Sequence, residues 1–246
     1  MIGLRVVRRW GPARIAYHLG LNPATVHKIL TRYRCPQLAW TDPATGVRLR
    51  GRTPARRYQH AQPGDLVHVD IKKLGRIPDG GGHKVLGRAA GRRDRRRGMG
   101  YWYIHNAVDD RTRLAYSELL TDERKETAAG FWKRANTFFA DAGVVVARVL
   151  TDNGACYRSH AFTHALGETV QHKRTRPYRP QTNGKVERFN RTMLEEWAYA
   201  QPYLSETERV STFTAWLHHY NYHRGHTALG GQSPADLVPN LSGQNS

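Results

Sequence analysis

The chain has 246 residues, and 39 Lys and Arg stand against 20 Asp and Glu, which gives a formal net charge of +19. Such an excess of positive charge argues against an ordinary metabolic enzyme and favours a polyanionic partner, with nucleic acid as the first candidate and a membrane surface as the second. No apolar run approaches the roughly 20 residues of a membrane-spanning helix, and the N-terminus has no signal-peptide core, so we expect an intracellular protein without a membrane partner.

The first predicted elements are two short amphipathic helices within residues 12–33, where apolar residues recur at core-facing spacing. Gly20 suits the end of the first helix, and Asn22 and Pro23 suit the start of the second. This pattern predicts a helix-turn-helix in a DNA-binding segment, residues 1–38. The second helix would present to a major groove the side chains of Thr25, His27, Lys28, Thr31 and Arg32. The alternative is a helical hairpin that only packs against the rest of the chain.

Two later segments show little periodicity. Residues 36–64 carry four prolines, and we predict a linker there with bounds 39–64. Residues 75–100 are rich in Gly and Arg, which predicts a mobile basic loop that could follow a phosphate backbone. The alternative for this loop is an insert that only keeps the protein in solution.

The larger part of the chain, residues 65–246, is predicted to be a folded core with a C-terminal helical tail. Strand-like runs occupy residues 65–74, 101–108, 113–120, 144–152 and 169–173, and helical runs occupy residues 123–140, 159–166 and the residues that follow the turn at 182–184. The order β, β, β, α, β, α, β, α predicts a mixed α/β sheet with helices packed against it.

Three acidic residues lie at positions typical of catalytic acids in such a sheet. Asp70 is on the first strand, Asp152 ends the fourth, and Glu187 is on the helix after the fifth. Carboxylates are the ligands that Mg²⁺ and Mn²⁺ prefer, and two such ions about 3.5–4 Å apart can drive an in-line phosphoryl transfer. The cations expected to contact phosphate near this site are Lys72, Arg174, Arg176, Lys185 and Arg191.

Asp109 and Asp110 compete with Asp70 for the first of these positions. We prefer Asp70, because a side chain on a strand is better fixed than one at the tip of a hairpin. The hairpin acids are expected instead to cap the turn or to pair with Arg111.

The blocks HVDIKK, VLTDNGACYRS and RPYRPQTNGKVERFNRT, followed by LHHYNYHRGHTALGGQSPADL, resemble the integrase-core transposases of bacterial insertion sequences, which are relatives of retroviral integrases. The resemblance spans nearly the whole chain. It implies that residues 65–246 form a ribonuclease H-like fold, with a mixed five-stranded sheet and flanking helices, preceded by the small helix-turn-helix. It also implies that Asp70, Asp152 and Glu187 are a DDE triad that binds two Mg²⁺ ions, for which Mn²⁺ can substitute.

The resemblance further implies the reaction, DNA integration and recombination in the transposition of an insertion sequence. Water would free a 3′ hydroxyl at the element end, and that hydroxyl would attack target DNA without a covalent enzyme–DNA intermediate. The implied partners are double-stranded DNA, both element ends and target, and further copies of the chain in a homo-oligomer. The implied location is the bacterial cytoplasm, in association with the nucleoid.

Three departures from the family pattern stand out. Asp152 and Glu187 are separated by 34 residues, one fewer than is usual, and we place the missing residue near HALGETVQH. Gly225 stands where proline is common, which is expected to loosen the C-terminal helix. Family members usually begin with a further helix-turn-helix, so a start at Met1 would correspond to a truncated copy.

Other functions remain open at this stage. A tyrosine recombinase would need a tyrosine fixed beside Arg and His helpers, which no motif supplies. A hydrolytic nuclease would cut DNA without joining it, and a catalytically silent, truncated transposase remnant would only bind DNA. Zinc binding at His218, His219, His223 and His226 is disfavoured, because no Cys or carboxylate lies nearby to complete a site. Cys35 and Cys156 are expected to be reduced and structural.

Overall fold

The computed structural model describes residues 1–38, 59–82, 85–87, 99–175, 183–238 and 240. Most of the predicted linker, half of the predicted basic loop, and Arg176 therefore lie outside the described residues. The chain divides into two compact units, one comprising Met1–Tyr58 with His223–Pro234 and the other comprising Gln59–Tyr222 with Ala235–Ser246. The bounds 1–38, 39–64 and 65–246 stay a prediction.

Within the described residues, the first unit contains three short α-helices, α1 (Ile2–Val7), α2 (Pro12–Leu19) and α3 (Pro23–Arg32). Gly20 follows α2 with φ of 63°, a left-handed conformation that glycine adopts without strain. Asn22 precedes α3, and its side-chain oxygen accepts a 2.8 Å hydrogen bond from the amide of Ala24. The helices pack through Ile15, Ala16, Val26 and Leu30, all of them buried. The two helices and their caps thus lie where the sequence predicts them, while their role as a DNA-binding helix-turn-helix stays a prediction.

The second unit is built on a sheet that, within the described residues, has five strands. They are β1 (Val67–Gly75), β2 (Tyr101–Asp109), β3 (Ala115–Leu120), β4 (Arg148–Thr151) and β5 (Gln171–Arg174). Their order is β3-β2-β1-β4-β5. The pairs β1–β2 and β2–β3 are antiparallel, whereas β1–β4 and β4–β5 are parallel. The predicted mixed five-stranded sheet is confirmed.

Helices cover both faces of this sheet. They are α4 (Lys125–Asp141), α5 (His160–Leu166), α6 (Gly184–Met193), α7 (Glu206–Ser211) and α8 (Phe213–His218), and short π-helical segments follow α6 at Leu194–Ala198 and α8 at His219–His223. Within the described residues, no helix is long and apolar enough to cross a membrane.

Side chains alternate across β1, and this alternation decides which residues face each core. Val67 and Val69 belong to the cluster that contains Phe131 and Trp132 of α4. Leu74 belongs to the opposite cluster, which contains residues of α6. Asp70 is separated from His68 by two residues and from Leu74 by four, so it lies on the same face of the strand as they do. This is the face that α6 covers.

The structure differs from the sequence-based prediction at the apolar run before Asp152. Only Arg148–Thr151 forms a strand. The amide of Val144 donates to the carbonyl of Phe139 in α4, and the amide of Ala147 donates to that of Gly64 in the loop before β1. These two amides therefore bond to a helix and a loop instead of to a neighbouring strand. Val145 is 85% exposed for the same reason.

Candidate active site

Asp70 lies in the middle of β1, opposite Asn106 of β2, and is partly buried. Burial is the largest influence on its pKa and raises it, a hydrogen bond from Asn190 lowers it, and the charges of Asp152 and Glu187 raise it again. The result is a pKa of about 6, against an ordinary value of 3.8. The three predicted acids therefore share one electrostatic neighbourhood, in which each ionised carboxylate disfavours the others.

Asp152 immediately follows β4, and the sheet register explains why it lies near Asp70. Val67 and His68 of β1 pair with Val149 and Leu150 of the parallel strand β4. The same register continued by two residues brings position 70 opposite position 152, and adjacent strands are about 4.8 Å apart. The carboxylate of Asp152 is exposed, and its Oδ1 accepts a 2.8 Å hydrogen bond from the amide of Gly154. The turn Asn153-Gly154 thus orients this carboxylate.

Glu187 lies in the first turn of α6. Val186, Phe189 and Met193 of this helix are buried in the second core cluster, which fixes the helix against the sheet. The side chain of Glu187 is exposed beside them. These apolar residues recur at helical spacing, and their burial leaves Glu187 at the edge of the packed face.

The donor set of three carboxylates suits Mg²⁺ or Mn²⁺, because both are hard cations that prefer oxygen ligands. Among the residues that the structure describes, no three His, Cys, Asp or Glu side chains are arranged closely enough to hold a metal ion. The charges of Asp152 and Glu187 act on Asp70, but the three carboxylates do not surround a common point.

A series of hydrogen bonds between buried polar side chains ends at the carboxylate of Asp70. Nδ2 of Asn190 donates a 2.7 Å hydrogen bond to Oδ2 of Asp70, and Nδ2 of Asn106 donates a 2.8 Å bond to Oδ1 of Asn190. The hydroxyl of Ser117 in turn donates a 2.7 Å bond to Oδ1 of Asn106. Nothing in the sequence marks Asn190 as a partner of Asp70, because the two residues are 120 positions apart.

Asp109 and Asp110, the alternatives to Asp70 for the first acidic position, form hydrogen bonds with other residues. Oδ2 of Asp109 accepts hydrogen bonds from the amides of Arg111 and Thr112, which is the turn-capping role that the sequence suggests. Oδ1 of Asp110 lies 3.0 Å from Nε2 of His68. Burial alone would raise the pKa of Asp110, but the hydrogen bond from His68 and the nearby charges outweigh it and hold that pKa below its usual range.

The predicted DNA contacts fall into two groups. All five side chains assigned to the groove-facing side of α3 are exposed, namely Thr25, His27, Lys28, Thr31 and Arg32. Near the acids, Arg174 and Arg191 are exposed, while Lys72 and Lys185 are partly buried. Nζ of Lys185 lies 3.5 Å from the buried carboxylate of Asp110, so its charge forms an ion pair within the protein.

The remaining predicted residues show ordinary packing. His218 stacks on Tyr222 with ring centroids 4.7 Å apart, and His226 is buried. Cys35 and Cys156 are free thiols, and burial raises the pKa of Cys156 to about 11. Cys156 is therefore a protonated, unreactive thiol at neutral pH.

Comparison with known proteins identifies the family. A family model described as "Integrase core domain" matches residues 60–180, and a second model with the same description matches residues 168–234. The chain belongs to the integrase-core family. The predicted resemblance to the integrase-core transposases of insertion sequences is confirmed, and the match includes all three acids of the candidate site.

Individual relatives agree with this family. The chain is 28% identical over 159 residues to "Putative integrase ORF3" of Spiroplasma virus SpV1-C74, a match that covers 57% of this chain and 43% of the relative. It is 32% identical over 92 residues to the transposase InsD for insertion element IS2D of Escherichia coli K12, which covers 36% of this chain and 30% of the relative. The matched regions thus span less than half of either relative.

Among solved structures, an intasome of simian T-cell lymphotropic virus in complex with PP2A regulatory subunit B56 gamma matches with a TM-score of 0.56 at 20% identity. The match covers 96% of this chain and 73% of that chain. At this identity the likeness concerns the fold alone, and the predicted ribonuclease H-like fold of the integrase core is confirmed.

Proposed function

We propose that this protein is a DNA transposase, a polynucleotidyl transferase that cuts and joins DNA by metal-dependent phosphoryl transfer. The observation that carries the proposal is the convergence of Asp70, Asp152 and Glu187 from β1, the end of β4 and α6. Burial raises the pKa of Asp70 to about 6, and repulsion by the charges of Asp152 and Glu187 contributes to this rise. Such repulsion is unfavourable for stability, and it is relieved by a bound cation.

In the proposed reaction the three acids are the metal ligands and the catalytic residues. Two Mg²⁺ ions, or Mn²⁺ in their place, would activate the attacking oxygen and stabilise the leaving oxygen. The carboxylates have to be ionised to bind them, so Asp70 must lose its proton first. The hydrogen bond from Asn190 favours this ionised form and holds one carboxylate oxygen in place. A water molecule would free a 3′ hydroxyl at the element end, and this hydroxyl would then attack a phosphate of the target DNA.

Double-stranded DNA is the proposed partner, both at element ends and at the target. The net charge of +19 supports it, because binding to the phosphate backbone is largely electrostatic. We assign end recognition to the exposed side chains of α3, and phosphate contacts near the acids to Lys72, Arg174, Arg176, Lys185 and Arg191. Two DNA ends must be held together for joining, so a homo-oligomer on DNA is part of the proposal, as is a location with the bacterial nucleoid.

The test is Mn²⁺-dependent nicking of supercoiled plasmid by the wild type beside Asp152→Asn, with binding of the same plasmid measured for both. The proposal expects nicking by the wild type, none above background by Asp152→Asn, and similar binding by the two. Nicking retained by Asp152→Asn would remove this residue from the catalytic set. A folded, DNA-binding wild type that neither nicks plasmid nor cleaves DNA with cognate element ends would instead be a silent transposase remnant.

A further inference from the structure

Buried polar side chains connect β1 with the start of α6. His68 is fully buried on β1, two residues before Asp70 and on the same face of the strand. Its Nδ1 is hydrogen-bonded to Oδ1 of Asn183 at 3.0 Å, and its Nε2 to Oδ1 of Asp110 at 3.0 Å. Asn183 is the residue that immediately precedes α6, and Glu187 follows it by one helical turn. One imidazole ring therefore joins the strand that carries Asp70 to the helix that carries Glu187.

The side-chain oxygen of Asn183 is not used to cap its own helix. An asparagine at this position commonly accepts a hydrogen bond from an amide of the first turn, as Asn22 does at the start of α3. Asn183 makes no such bond to α6 and is only 5% exposed. Its oxygen is instead directed at a residue 115 positions away in the sequence. The side chain thus serves to dock the helix onto the strand.

Asp110 completes the connection on the other side of the ring. Its Oδ2 accepts a 2.7 Å hydrogen bond from the amide of His60, which fixes the carboxylate. Nζ of Lys185, in the first turn of α6, lies 3.5 Å from Oδ1 of Asp110. The beginning of α6 is therefore attached twice, once through Asn183 and once through Lys185. This network would satisfy buried polar groups wherever it lay, but it lies at the helical turn that bears Glu187.

We propose that His68 and Asn183 are positioning residues, which hold the first turn of α6 against β1 and thereby fix the separation of Glu187 from Asp70. The apolar face of α6 cannot do this alone, because the packing of Val186, Phe189 and Met193 is not directional, whereas the hydrogen bond at Asn183 is. A displacement of about 1 Å in a catalytic group can cost about a hundredfold in rate. The inference rests on the proposed function, in which both carboxylates bind the same metal centre.

The test compares Asn183→Leu with Asn183→Asp. Leucine has nearly the size of asparagine but no polar atom, whereas aspartate keeps an oxygen at the position of Oδ1, which lies 3.0 Å from Nδ1 of His68. Hydrogen–deuterium exchange of the free protein comes first. Asn183→Leu is expected to exchange faster across 184–193, with 125–141 unchanged, and Asn183→Asp is expected to exchange like the wild type. If Asn183→Leu does not fold, Asn183→Ala replaces it, because the smaller side chain leaves room for water beside His68.

Metal binding is then measured without DNA, as the rise in the midpoint of thermal unfolding on addition of Mn²⁺. This rise is expected to be smaller in Asn183→Leu than in the wild type and to be restored in Asn183→Asp. In plasmid nicking, kcat of Asn183→Leu is expected to fall by about tenfold to a hundredfold, with KM for plasmid unchanged within about twofold and with Asn183→Asp again close to the wild type.

Three outcomes would overturn the inference. The first is unchanged exchange across 184–193 in Asn183→Leu, and the second is an Mn²⁺-induced rise equal to that of the wild type. The third is faster exchange in both 184–193 and 125–141, because that pattern means general loss of stability. A wild type that does not nick DNA would contradict the proposed function, while the exchange and Mn²⁺ measurements would still decide on the role of His68 and Asn183.

Discussion

The side-chain amide of Asn190 donates a 2.7 Å hydrogen bond to Oδ2 of Asp70, from the same helix that carries Glu187. Because Asn106 donates to the oxygen of Asn190, the amino group of Asn190 has to point at Asp70. Ser117 fixes Asn106 in the same way. The carboxylate at the centre of the site is therefore oriented by a buried chain of side chains from β3, β2 and α6.

Replacement of Asn190 by Leu is expected to reduce both stability and cleavage. The substitution removes one of the two acceptors of the buried Asn106 side-chain amide and leaves it only the carbonyl of Ile104, which costs about 1–3 kcal/mol in the free energy of unfolding. It also removes a hydrogen bond that lowers the pKa of Asp70, so the carboxylate ionises less readily. Urea unfolding and Mn²⁺-dependent nicking would measure the two effects. Thr192→Val is the control, a buried polar residue of the same helix, and cleavage by Asn190→Leu at the rate of this control would contradict the prediction.

Asp70→Asn is expected to stabilise the metal-free protein at neutral pH. The folded-state pKa of about 6 lies above the ordinary value of 3.8, so folding favours the protonated form. This contribution to stability is full below about pH 4 and is lost as the pH rises through 6. At about 1.4 kcal/mol for each pKa unit, the variant should gain up to about 3 kcal/mol at pH 7.5 and almost nothing near pH 4.

The measurement is urea unfolding in EDTA at both pH values, with Asp141→Asn, an exposed carboxylate on α4, as the control. Addition of Mn²⁺ should stabilise the wild type and leave Asp70→Asn unchanged. Equal free energies of unfolding for the wild type and Asp70→Asn at pH 7.5 would contradict the prediction, because they would show that the folded protein does not disfavour the ionised form of Asp70.

Glu187→Gln is expected to abolish cleavage and to keep DNA binding. The change preserves size and removes one metal-binding charge, and a metal ion supplies several kcal/mol of transition-state stabilisation, or about a hundredfold to a thousandfold in rate. Nicking and plasmid binding are measured together. Glu195→Gln is the matched control, since Glu195 is exposed just beyond the same helix. Retained nicking by Glu187→Gln would remove Glu187 from the proposed triad.

Gly225→Ala is expected to destabilise the first unit, by about 1–3 kcal/mol. A Cβ at this position would lie 2.8 Å from the carbonyl oxygen of Gly231 and 3.0 Å from Cβ of Tyr17. The expectation that Gly225 loosens the C-terminal helix stays a prediction, and Gly225 lies two residues beyond the π-helical segment that ends at His223. Thermal unfolding measures the effect, and Gly11→Ala is the control, since nothing lies within 4 Å of a Cβ added there. Equal midpoints for the two variants would contradict the close packing.

The features that the sequence predicts well are those with a local cause. Gly20 and Asn22 bracket the turn between α2 and α3 because one tolerates a left-handed backbone and the other can accept from a nearby amide. The buried stripe on α6 follows from helical spacing alone. The acids were found because each stands in a distinctive motif at the end or middle of a predicted element, although their metal-binding roles stay a prediction.

The features that the sequence does not reveal depend on distant partners. Asn106 bonds to a residue 84 positions away, and His68 to one 115 positions away. Neither residue stands in a pattern that marks it, because a polar side chain on a strand looks the same whether its partner is water or another buried side chain. The run before Asp152 was predicted as a longer strand, because valines favour strands whichever backbone partner they find.

Replacement of both Lys28 and Arg32 by Ala tests whether α3 reads the element end. Both side chains are exposed on α3, and a base contact is worth about 1–3 kcal/mol for its own sequence, whereas a phosphate contact weakens binding to all sequences. The double variant is therefore expected to lose more affinity for the cognate end than for random DNA, in binding isotherms recorded at several salt concentrations. Arg124→Ala with Lys133→Ala removes the same charge from exposed positions of the second unit. This control should not change the ratio of the affinity for the cognate end to the affinity for random DNA. An equal loss on both DNAs would make α3 a nonspecific contact, and recognition of the element end would then have to come from another part of the chain.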